Sequence, residues 1–313
     1  MKIIFFGLGS IGSRHARILL EEYAHDVFAY RSHRADKELD YDLAKINEVH
    51  TWNEVEEIKP DVAFITNPTF LHIETAMKCA SLGIKLFIEK PVDCSTRNLD
   101  VLLEEVRKRR LVTYVAYNLR FHPVINFLRE YVQSKRINHV SICNSSYLPN
   151  WRLGQDYTKS YSVSKEKGGG VILELSHEFD YIEYLFGSIE SINGVFDKVS
   201  DIAGDCEDFL DAAINTGRTY VNLHLNFCSF LTERTIKIDC DEQFISADLI
   251  NGEVRFVTAQ SDTVEKYEAD RNETFRKQIR YFFDNVDNDR MMNNLFEASS
   301  LFRKILKFRN RLQ

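Results

Sequence analysis

A glycine-rich turn near the N-terminus places the strongest constraint on the fold. The apolar residues 3–6 run into Gly7-Leu8-Gly9-Ser10-Ile11-Gly12, and helical periodicity follows over residues 11–22. Between a strand and a helix, this G-x-G-x-x-G spacing is typical of a turn that cradles phosphates. Gly7 permits the tight turn, Gly9 lets the backbone approach a pyrophosphate, and Gly12 lets helix and strand pack closely.

The helix that follows this turn supplies groups that bind anions. Its first N–H groups, at Ser10 and Ile11, have no partner within the helix, and its dipole places a partial positive charge there. We therefore predict a dinucleotide site at this turn. The alternative is a plain strand–turn–helix connection that binds no ligand.

The first 120 residues alternate between short apolar runs and helical patterns. The apolar runs at residues 3–6, 27–30, 62–66, 85–88 and 112–116 are separated by helical patterns at 11–22, 53–58, 70–82 and 96–110. This alternation indicates a parallel sheet covered on both faces, and right-handed crossovers then give a doubly wound α/β fold. We predict a Rossmann domain over residues 1–120.

The pattern changes after residue 120. After helical patterns at 124–133 and 171–186, strand-like runs follow one another near residues 191–199, 209–215, 220–227, 235–238, 244–250 and 253–257. Such a succession indicates a mostly antiparallel sheet, and Asn251-Gly252 marks a hairpin turn. Because 313 residues suffice for two domains, we predict an α+β domain with an open sheet over residues 121–313.

Composition argues against several classes of protein. The net charge of −7 repels phosphate backbones, so nucleic-acid binding is not expected. The N-terminal apolar run is short and broken by glycines, which is unlike a signal peptide or a membrane span. The six cysteines contain no C-x-x-C pair and no zinc-ligand spacing, so we expect no metal site and a reduced, cytoplasmic protein.

The end of the second predicted strand bears on the choice between NAD and NADP. An acid that binds the ribose 2′-hydroxyl is expected about 20 residues after the turn. The segment instead reads Tyr30-Arg31-Ser32-His33-Arg34. Arg31 and Arg34 could pair with a 2′-phosphate, and Ser32 could donate to it. This favours NADP over NAD; the alternative is that the arginines are solvated loop residues.

Several motifs occur in a specific order along nearly the whole chain. After the glycine turn come Thr66-Asn67-Pro68 with His72, then Glu89-Lys90-Pro91, Asn118-Leu119-Arg120-Phe121-x-Pro123, and Gly168-Gly169-Gly170 leading to His177-x-x-Asp180. In this order the sequence resembles the Gfo/Idh/MocA family, the group of glucose–fructose oxidoreductase and inositol dehydrogenase. The resemblance implies hydride transfer at a carbinol carbon of a sugar, a cyclitol or a nucleotide-linked sugar.

The resemblance also implies residue roles. Thr66, Asn67, Pro68 and His72 would border the cofactor, Glu89 and Lys90 would lie near the nicotinamide ribose, and Lys90 matches the family's catalytic-site lysine. The open sheet of the second domain often forms an oligomer interface in this family, so a homodimer or homotetramer is expected.

The predicted helix over residues 171–186 carries the candidate acid/base. An apolar stripe at every third or fourth residue leaves Glu174, His177 and Tyr181 on the opposite face. A histidine suits removal of a hydroxyl proton because it titrates near neutral pH, and Lys90 would polarise the oxygen. The alternative is a solvated polar face.

The sequence departs from the family pattern beside this histidine. Many members carry an aspartate four residues earlier, where this chain has Leu173, and Glu174 is one position later. On a continuous helix Glu174 would share a face with His177, so it could replace the aspartate. Asp180 fits the family's later aspartate, although it could equally be a solvated charge.

The substrate is expected to contact two further segments. The loop over residues 147–167 mixes aromatic and basic side chains, including Trp151, Arg152 and Tyr157, which suits a polar sugar with or without an acidic group. A mobile surface loop or an oligomer contact is an equal alternative. Asn118 and Arg120, which follow the last predicted Rossmann strand, are further candidates, as is Asp180.

The main hypothesis is therefore an NAD(P)-dependent oxidoreductase acting on CH–OH groups. Two other classes share the fold. One is a cofactor-binding sensor or regulatory protein that has lost catalysis, and the other is a lyase or glycosidase that uses transient oxidation by a tightly held cofactor.

Overall fold

The computed structural model describes residues 1–31, 41–152, 154–268 and 270–312. The chain forms two compact units. The first comprises Met1–Ala116 and Phe275–Ser300, and the second comprises Tyr117–Thr274 and Leu301–Gln313. The boundaries near the C-terminus fall within two helices, α8 (Arg271–Asp284) and α9 (Leu295–Arg309).

The first unit contains a six-stranded parallel sheet, which confirms the predicted Rossmann-type fold. Its strands are β1 (Lys2–Phe6), β2 (Asp26–Tyr30), β3 (Asn47–Val49), β4 (Val62–Ile65), β5 (Lys85–Ile88) and β6 (Thr113–Val115), in the order β3-β2-β1-β4-β5-β6. Its helices include α1 (Ser10–Glu22), α2 (Trp52–Ile58), α3 (His72–Ser81) and α4 (Leu99–Arg109). The central strands form because their apolar runs are buried on both faces.

The register of this sheet brings three motifs to one edge. Phe6 of β1 lies beside Ile65 of β4, and Ile65 lies beside Ile88 of β5. The glycine turn, Thr66-Asn67-Pro68 and Glu89-Lys90-Pro91 follow these three adjacent strands. Because parallel strands all end at the same edge, all three motifs lie where such sheets bind ligands.

Residues 275–300 also belong to the first unit, although they lie far in sequence from its other residues. Phe282 of α8 packs edge-on against Phe87, with ring centroids 5.4 Å apart, and also contacts Tyr114. The predicted boundary at residue 120 lies four residues beyond Ala116. The return of the chain was not predicted, because helical periodicity does not show which core a helix covers.

The second unit contains an eight-stranded, mostly antiparallel sheet, as predicted. Its strands are β7 (Ile137–Tyr147), β8 (Ser191–Asp197), β9 (Phe209–Asn215), β10 (Tyr220–Asn226), β11 (Cys228–Cys240), β12 (Phe244–Asp248), β13 (Glu253–Val257) and β14 (Asp262–Lys266), in the order β14-β13-β12-β11-β7-β10-β9-β8. Only β7 and β10 pair in parallel among these strands. Asn251 and Gly252 lie in the turn between β12 and β13.

Alternation along the strands buries one side of this sheet. In β9, Leu210, Ala212 and Ile214 are buried, whereas Asp211 and Ala213 are exposed. The helices of this unit include α5 (Pro123–Tyr131), α6 (Val171–Glu174) and α7 (His177–Phe186). The apolar side chains of α7, among them Phe179 and Ile182, are fully buried.

The helix predicted over residues 171–186 is two helices, which corrects the sequence-based expectation. Leu175 has ψ of 33°, outside the helical range, so α6 ends before α7 begins at His177. The break shifts the helical phase, and Tyr181 is fully buried rather than on a polar face with Glu174 and His177. Glu174 and His177 are each partly exposed.

Among the helices of the described ranges, none has the length and apolar character needed to cross a bilayer.

Candidate active site

The glycine turn has the backbone geometry that phosphate binding requires. Gly7 has φ of +103°, and a Cβ atom there would lie 2.6 Å from the Asn67 backbone. A Cβ on Gly12 would collide with the Gly7 carbonyl, whereas no atom lies within 4 Å of the corresponding position on Gly9. The open space at Gly9, beside the first N–H groups of α1, fits a pyrophosphate group.

The other residues expected at the cofactor occupy the same edge. Ser10 is the exposed first residue of α1, Ile11 follows it, and Pro68 is exposed after β4. The Thr66 hydroxyl donates to the Gly7 carbonyl, which joins the loops after β1 and β4. The Asn67 amide donates to Thr75 Oγ1 at 2.8 Å.

His72 connects two loops at this edge. Its Nδ1 lies 2.9 Å from the Pro91 carbonyl oxygen, and its Nε2 lies 2.9 Å from the Asn67 carbonyl oxygen. Burial lowers the pKa of His72, and the two carbonyls and the charges of Asp93 and Glu89 oppose this without reversing it. A protonated ring can donate to both oxygens, whereas a neutral ring donates to one.

The Glu89 carboxylate forms hydrogen bonds with other groups of the first unit. Its Oε1 lies 2.7 Å from Nε2 of His15, and its Oε2 accepts a hydrogen bond from the Lys90 backbone N–H at 3.2 Å. The Lys90–Pro91 peptide bond is cis. His15 was not predicted to be a site residue. The available signal was its position on α1, three residues after Gly12, among residues that face the sheet.

The segment that bears on the choice of cofactor is described only in part. Arg31 Nε lies 3.6 Å from an oxygen of Glu48 on β3, and its backbone N–H donates to Val49 at 2.8 Å. Ser32 and Arg34 lie outside the described residues. The acid that is missing after β2 thus has a counterpart on the neighbouring strand, because Glu48 pairs with Ala29 in the parallel register.

His177 is the first residue of α7 in the second unit. Its ring meets that of Tyr117 edge-on, with centroids 5.7 Å apart. Burial raises the pKa of Tyr117, and the negative charge of Asp180 raises it further. Glu174 ends α6, so the helical i, i+3 argument for a face shared with His177 does not apply.

Three candidate substrate residues bond to protein groups instead. The Arg120 guanidinium binds the Asp180 carboxylate with Nε–Oδ2 and Nη2–Oδ1 distances of 3.0 and 2.8 Å. The exposed fractions of the two side chains are 5% and 2%. Asn118 donates to Thr274 Oγ1 at 2.7 Å. These contacts give all three residues a structural role.

The loop after β7 remains more accessible. Trp151 is partly exposed, and its indole N–H donates to Ser146 Oγ at 2.8 Å. Arg152 is exposed, and the Tyr157 hydroxyl accepts a hydrogen bond from Ala203 N–H at 3.3 Å. Over the residues that the structure describes, no group of three histidine, cysteine or acidic side chains could hold a metal ion.

The fold and the glycine turn define a dinucleotide-binding protein with a separate α+β unit. A family model for an oxidoreductase family with an NAD-binding Rossmann fold matches residues 1–117. The model of the GFO/IDH/MocA C-terminal domain matches residues 125–246. The chain belongs to the GFO/IDH/MocA family.

Individual relatives are more distant. A myo-inositol 2-dehydrogenase from Thermotoga maritima is 26% identical over 200 residues, which cover 63% of this chain and 57% of that protein. The matches span about half the length of the curated relatives.

Two solved structures share the fold over nearly the whole chain. UDP-N-acetylglucosamine 3-dehydrogenase from Acidithiobacillus ferrooxidans has a TM-score of 0.80 at 19% identity, covering 99% of this chain and 96% of that one. A levoglucosan dehydrogenase in complex with NADH has a TM-score of 0.84 at 15% identity, covering 98% and 96%.

Proposed function

We propose that this chain is an NAD(P)-dependent dehydrogenase or reductase that acts on a CH–OH group of a sugar, a cyclitol or a nucleotide-linked sugar. The observation that carries the proposal is the placement of Lys90 on the turn after β5, at the same sheet edge as the glycine turn after β1. A basic side chain thereby belongs to the same sheet edge as the proposed dinucleotide site, within one unit.

The first unit supplies the proposed cofactor site. Gly7, Gly9 and Gly12, with the first N–H groups of α1 at Ser10 and Ile11, would hold the pyrophosphate. The remaining proposed cofactor contacts come from the loops after β4 and β5: Thr66, Asn67, Pro68, His72, Glu89 and Lys90. When bound, the nicotinamide supplies the hydride acceptor or donor.

We assign the proton and charge chemistry to His177 and Lys90. His177 takes the hydroxyl proton during oxidation and returns it during reduction, a task for which imidazole is suited near neutral pH. The Lys90 ammonium stabilises negative charge that develops on the same oxygen. Glu174 is proposed as a further carboxylate of the proton path, as its place in the sequence suggests.

Two variants test these roles. His177→Ala should lower kcat by about 10²- to 10⁴-fold, the usual contribution of a general acid or base. Lys90→Met should lower it by about 10²- to 10³-fold, as is typical for a lost electrostatic contact to the transition state. Cofactor affinity, measured by nicotinamide fluorescence, should stay close to that of the wild type in His177→Ala.

The matched controls are His139→Ala on β7 and Lys85→Met on β5, which remove the same groups from other positions. A wild-type kcat in His177→Ala would exclude it as the acid/base. The wild type is also tested against a set of sugars, cyclitols and nucleotide-linked sugars. If product forms from one of them without stoichiometric NAD(P)H, the lyase or glycosidase class replaces the dehydrogenase. Cofactor binding without turnover of any of them would favour a sensor.

Arg31 supports NADP as the cofactor. Its side chain begins where β2 ends, and no acid follows on the same strand. NAD is the second candidate, because Glu48 lies beside Arg31 and one structural relative carries NADH. Arg31, Ser32 and Arg34 would hold the 2′-phosphate, so Arg31→Ala should weaken NADP far more than NAD. Equal weakening of both would contradict the NADP assignment.

The second unit supplies the proposed substrate contacts. Trp151, Arg152 and Tyr157 on the loop after β7 offer rings and donors to a polar sugar. The Arg120–Asp180 ion pair and the hydrogen bond from Asn118 to Thr274 are proposed to shape the site. We further propose a homodimer or homotetramer in a reducing cytoplasm, where the six cysteines, none of which forms a disulfide in the described structure, persist as thiols. Light scattering at working concentration tests the assembly.

A further inference from the structure

Two buried histidines bond to the residues on either side of Lys90. His15 of α1 binds the Glu89 side chain, and His72 of α3 lies within hydrogen-bond distance of the Pro91 carbonyl. Both imidazole rings are shielded from solvent, with exposed fractions of 0% and 1%. Lys90 therefore stands on a turn that is tied to two different helices.

The His15 contact is confined by its surroundings. The ring lies among Phe64, Phe87 and Phe275, with centroid distances of 5.9, 5.1 and 5.4 Å. Nδ1 has no hydrogen-bond partner among the described residues. A proton on that atom would be a buried donor without an acceptor, so the favoured tautomer carries its proton on Nε2 and donates to Glu89.

Glu89 passes this constraint to the backbone. One carboxylate oxygen receives the His15 bond, and the other accepts from the Lys90 N–H. The Glu89 N–H in turn donates to the Ile65 carbonyl of β4 at 2.9 Å. The carboxylate thus links the helix behind the glycine turn to the amide of the lysine.

His72 contacts the residue that follows Lys90, whereas His15 contacts the residue that precedes it. Its ring lies between the Asn67 and Pro91 carbonyls, and the Asp93 carboxylate accepts from the Ile73 N–H at the start of the same helix, at 3.1 Å. In either protonation state the ring can donate to at least one of the two carbonyls.

We propose that His15 and His72 are positioning residues that together form a clamp on the turn carrying Lys90. The inference rests on the proposed function of Lys90 and adds residues that determine its placement. Apolar side chains would fill the same space without the cost of burying polar groups, so the directional bonds are the distinctive contribution of these histidines. Small displacements of a catalytic group lower rates strongly, which gives the clamp its consequence.

The test compares variants that remove or keep the donor. His15→Leu and His72→Leu remove it, whereas His15→Gln and His72→Gln keep an N–H donor in a neutral side chain. His25→Leu is the control, since His25 also packs against aromatic rings of the first unit, those of Tyr23 and Phe283. The readouts are hydrogen exchange of the Lys90 amide by NMR, the Kd for NAD and NADP, and kcat.

The leucine variants should raise exchange of the Lys90 amide by roughly tenfold, as expected for the loss of one hydrogen bond. Their kcat should fall by up to about 10²-fold. In His15→Leu, Kd for the cofactor should change by no more than about twofold, because His15 is not among the proposed cofactor contacts. Each glutamine variant should recover part of both losses, and His25→Leu should match the wild type.

Unchanged exchange and kcat in both leucine variants would overturn the clamp. Equal losses in the glutamine and leucine variants would also overturn it, as would a parallel loss of cofactor binding in His15→Leu, because each points to a general packing role. The exchange measurement needs no substrate. The expected exchange pattern without any dehydrogenase activity would therefore retain the clamp and reject the proposed function.

Discussion

The buried Arg120–Asp180 pair leads to a quantitative prediction about stability. Asp180→Asn keeps the shape of the side chain but removes its charge, which takes away the carboxylate that binds the buried Arg120 guanidinium. The guanidinium also lies 4.8 Å from the ring centroid of Tyr184, a contact that persists in the variant but does not neutralise it. The variant therefore isolates the value of one buried charge.

The expected loss is about 3–5 kcal/mol in the free energy of unfolding, the usual cost of breaking a buried ion pair. The upper part of this range is reasonable because 95% or more of each side chain is shielded from water. The chain has two tryptophans, Trp52 in the first unit and Trp151 in the second. In a Trp52→Phe background, urea unfolding followed by Trp151 fluorescence reports on the unit that contains the pair.

Two comparisons make the measurement decisive. The double variant Arg120→Met with Asp180→Leu removes both charges and should be more stable than Asp180→Asn alone. Glu253→Gln breaks the exposed ion pair with Lys266 in the same unit and should have no measurable effect. A loss below about 1 kcal/mol in Asp180→Asn, or a double variant no better than the single one, would refute the reasoning.

Three further predictions concern the first unit. Gly12→Ala should cost about 1–3 kcal/mol of stability because its Cβ meets the Gly7 carbonyl, whereas Gly9→Ala should weaken only cofactor binding; thermal unfolding and fluorescence titration separate the two effects. Arg110, the residue that follows α4, has φ of 53°. Arg110→Gly should therefore raise the free energy of unfolding by about 1 kcal/mol, as measured by urea unfolding. Because burial lowers the pKa of His72, the unfolded chain takes up its proton first as the pH falls below about 6.5, so stability decreases there; the decrease should be smaller in His72→Gln, as Trp52 fluorescence during unfolding would show.

Much of the fold follows from local patterns in the sequence. The apolar runs of β1, β4 and β5 are visible because each strand is buried on both faces. The edge strands β3 and β14 were not predicted, since β3 has one buried residue and β14 has none. A strand that covers no core carries no alternating or continuous apolar signal.

The site was predicted less completely than the fold. Motif order led to the proposal of Lys90 and His177, because the chemistry of these residues and their position after a strand or on a helix are both local features. The His15–Glu89 contact spans 74 residues and depends on the register of three strands, so no local pattern reveals it. The break before His177 was missed because one residue out of phase still satisfies an apolar periodicity on each side.

Arg120 and Arg152, the two arginines considered for substrate binding, differ in the free energy that contact with a substrate anion would cost. A substrate anion that recruited Arg120 would have to displace Asp180, at a cost of the same order as the buried pair itself, about 3–5 kcal/mol. Arg152 is exposed on the loop after β7 and has no such cost to overcome. An acidic or phosphorylated substrate is therefore expected to contact Arg152. Arg152→Ala should raise KM for such a substrate while leaving the free energy of unfolding unchanged, and Arg120→Met should do the opposite; a lower stability in Arg152→Ala, or an unchanged KM, would reverse the assignment.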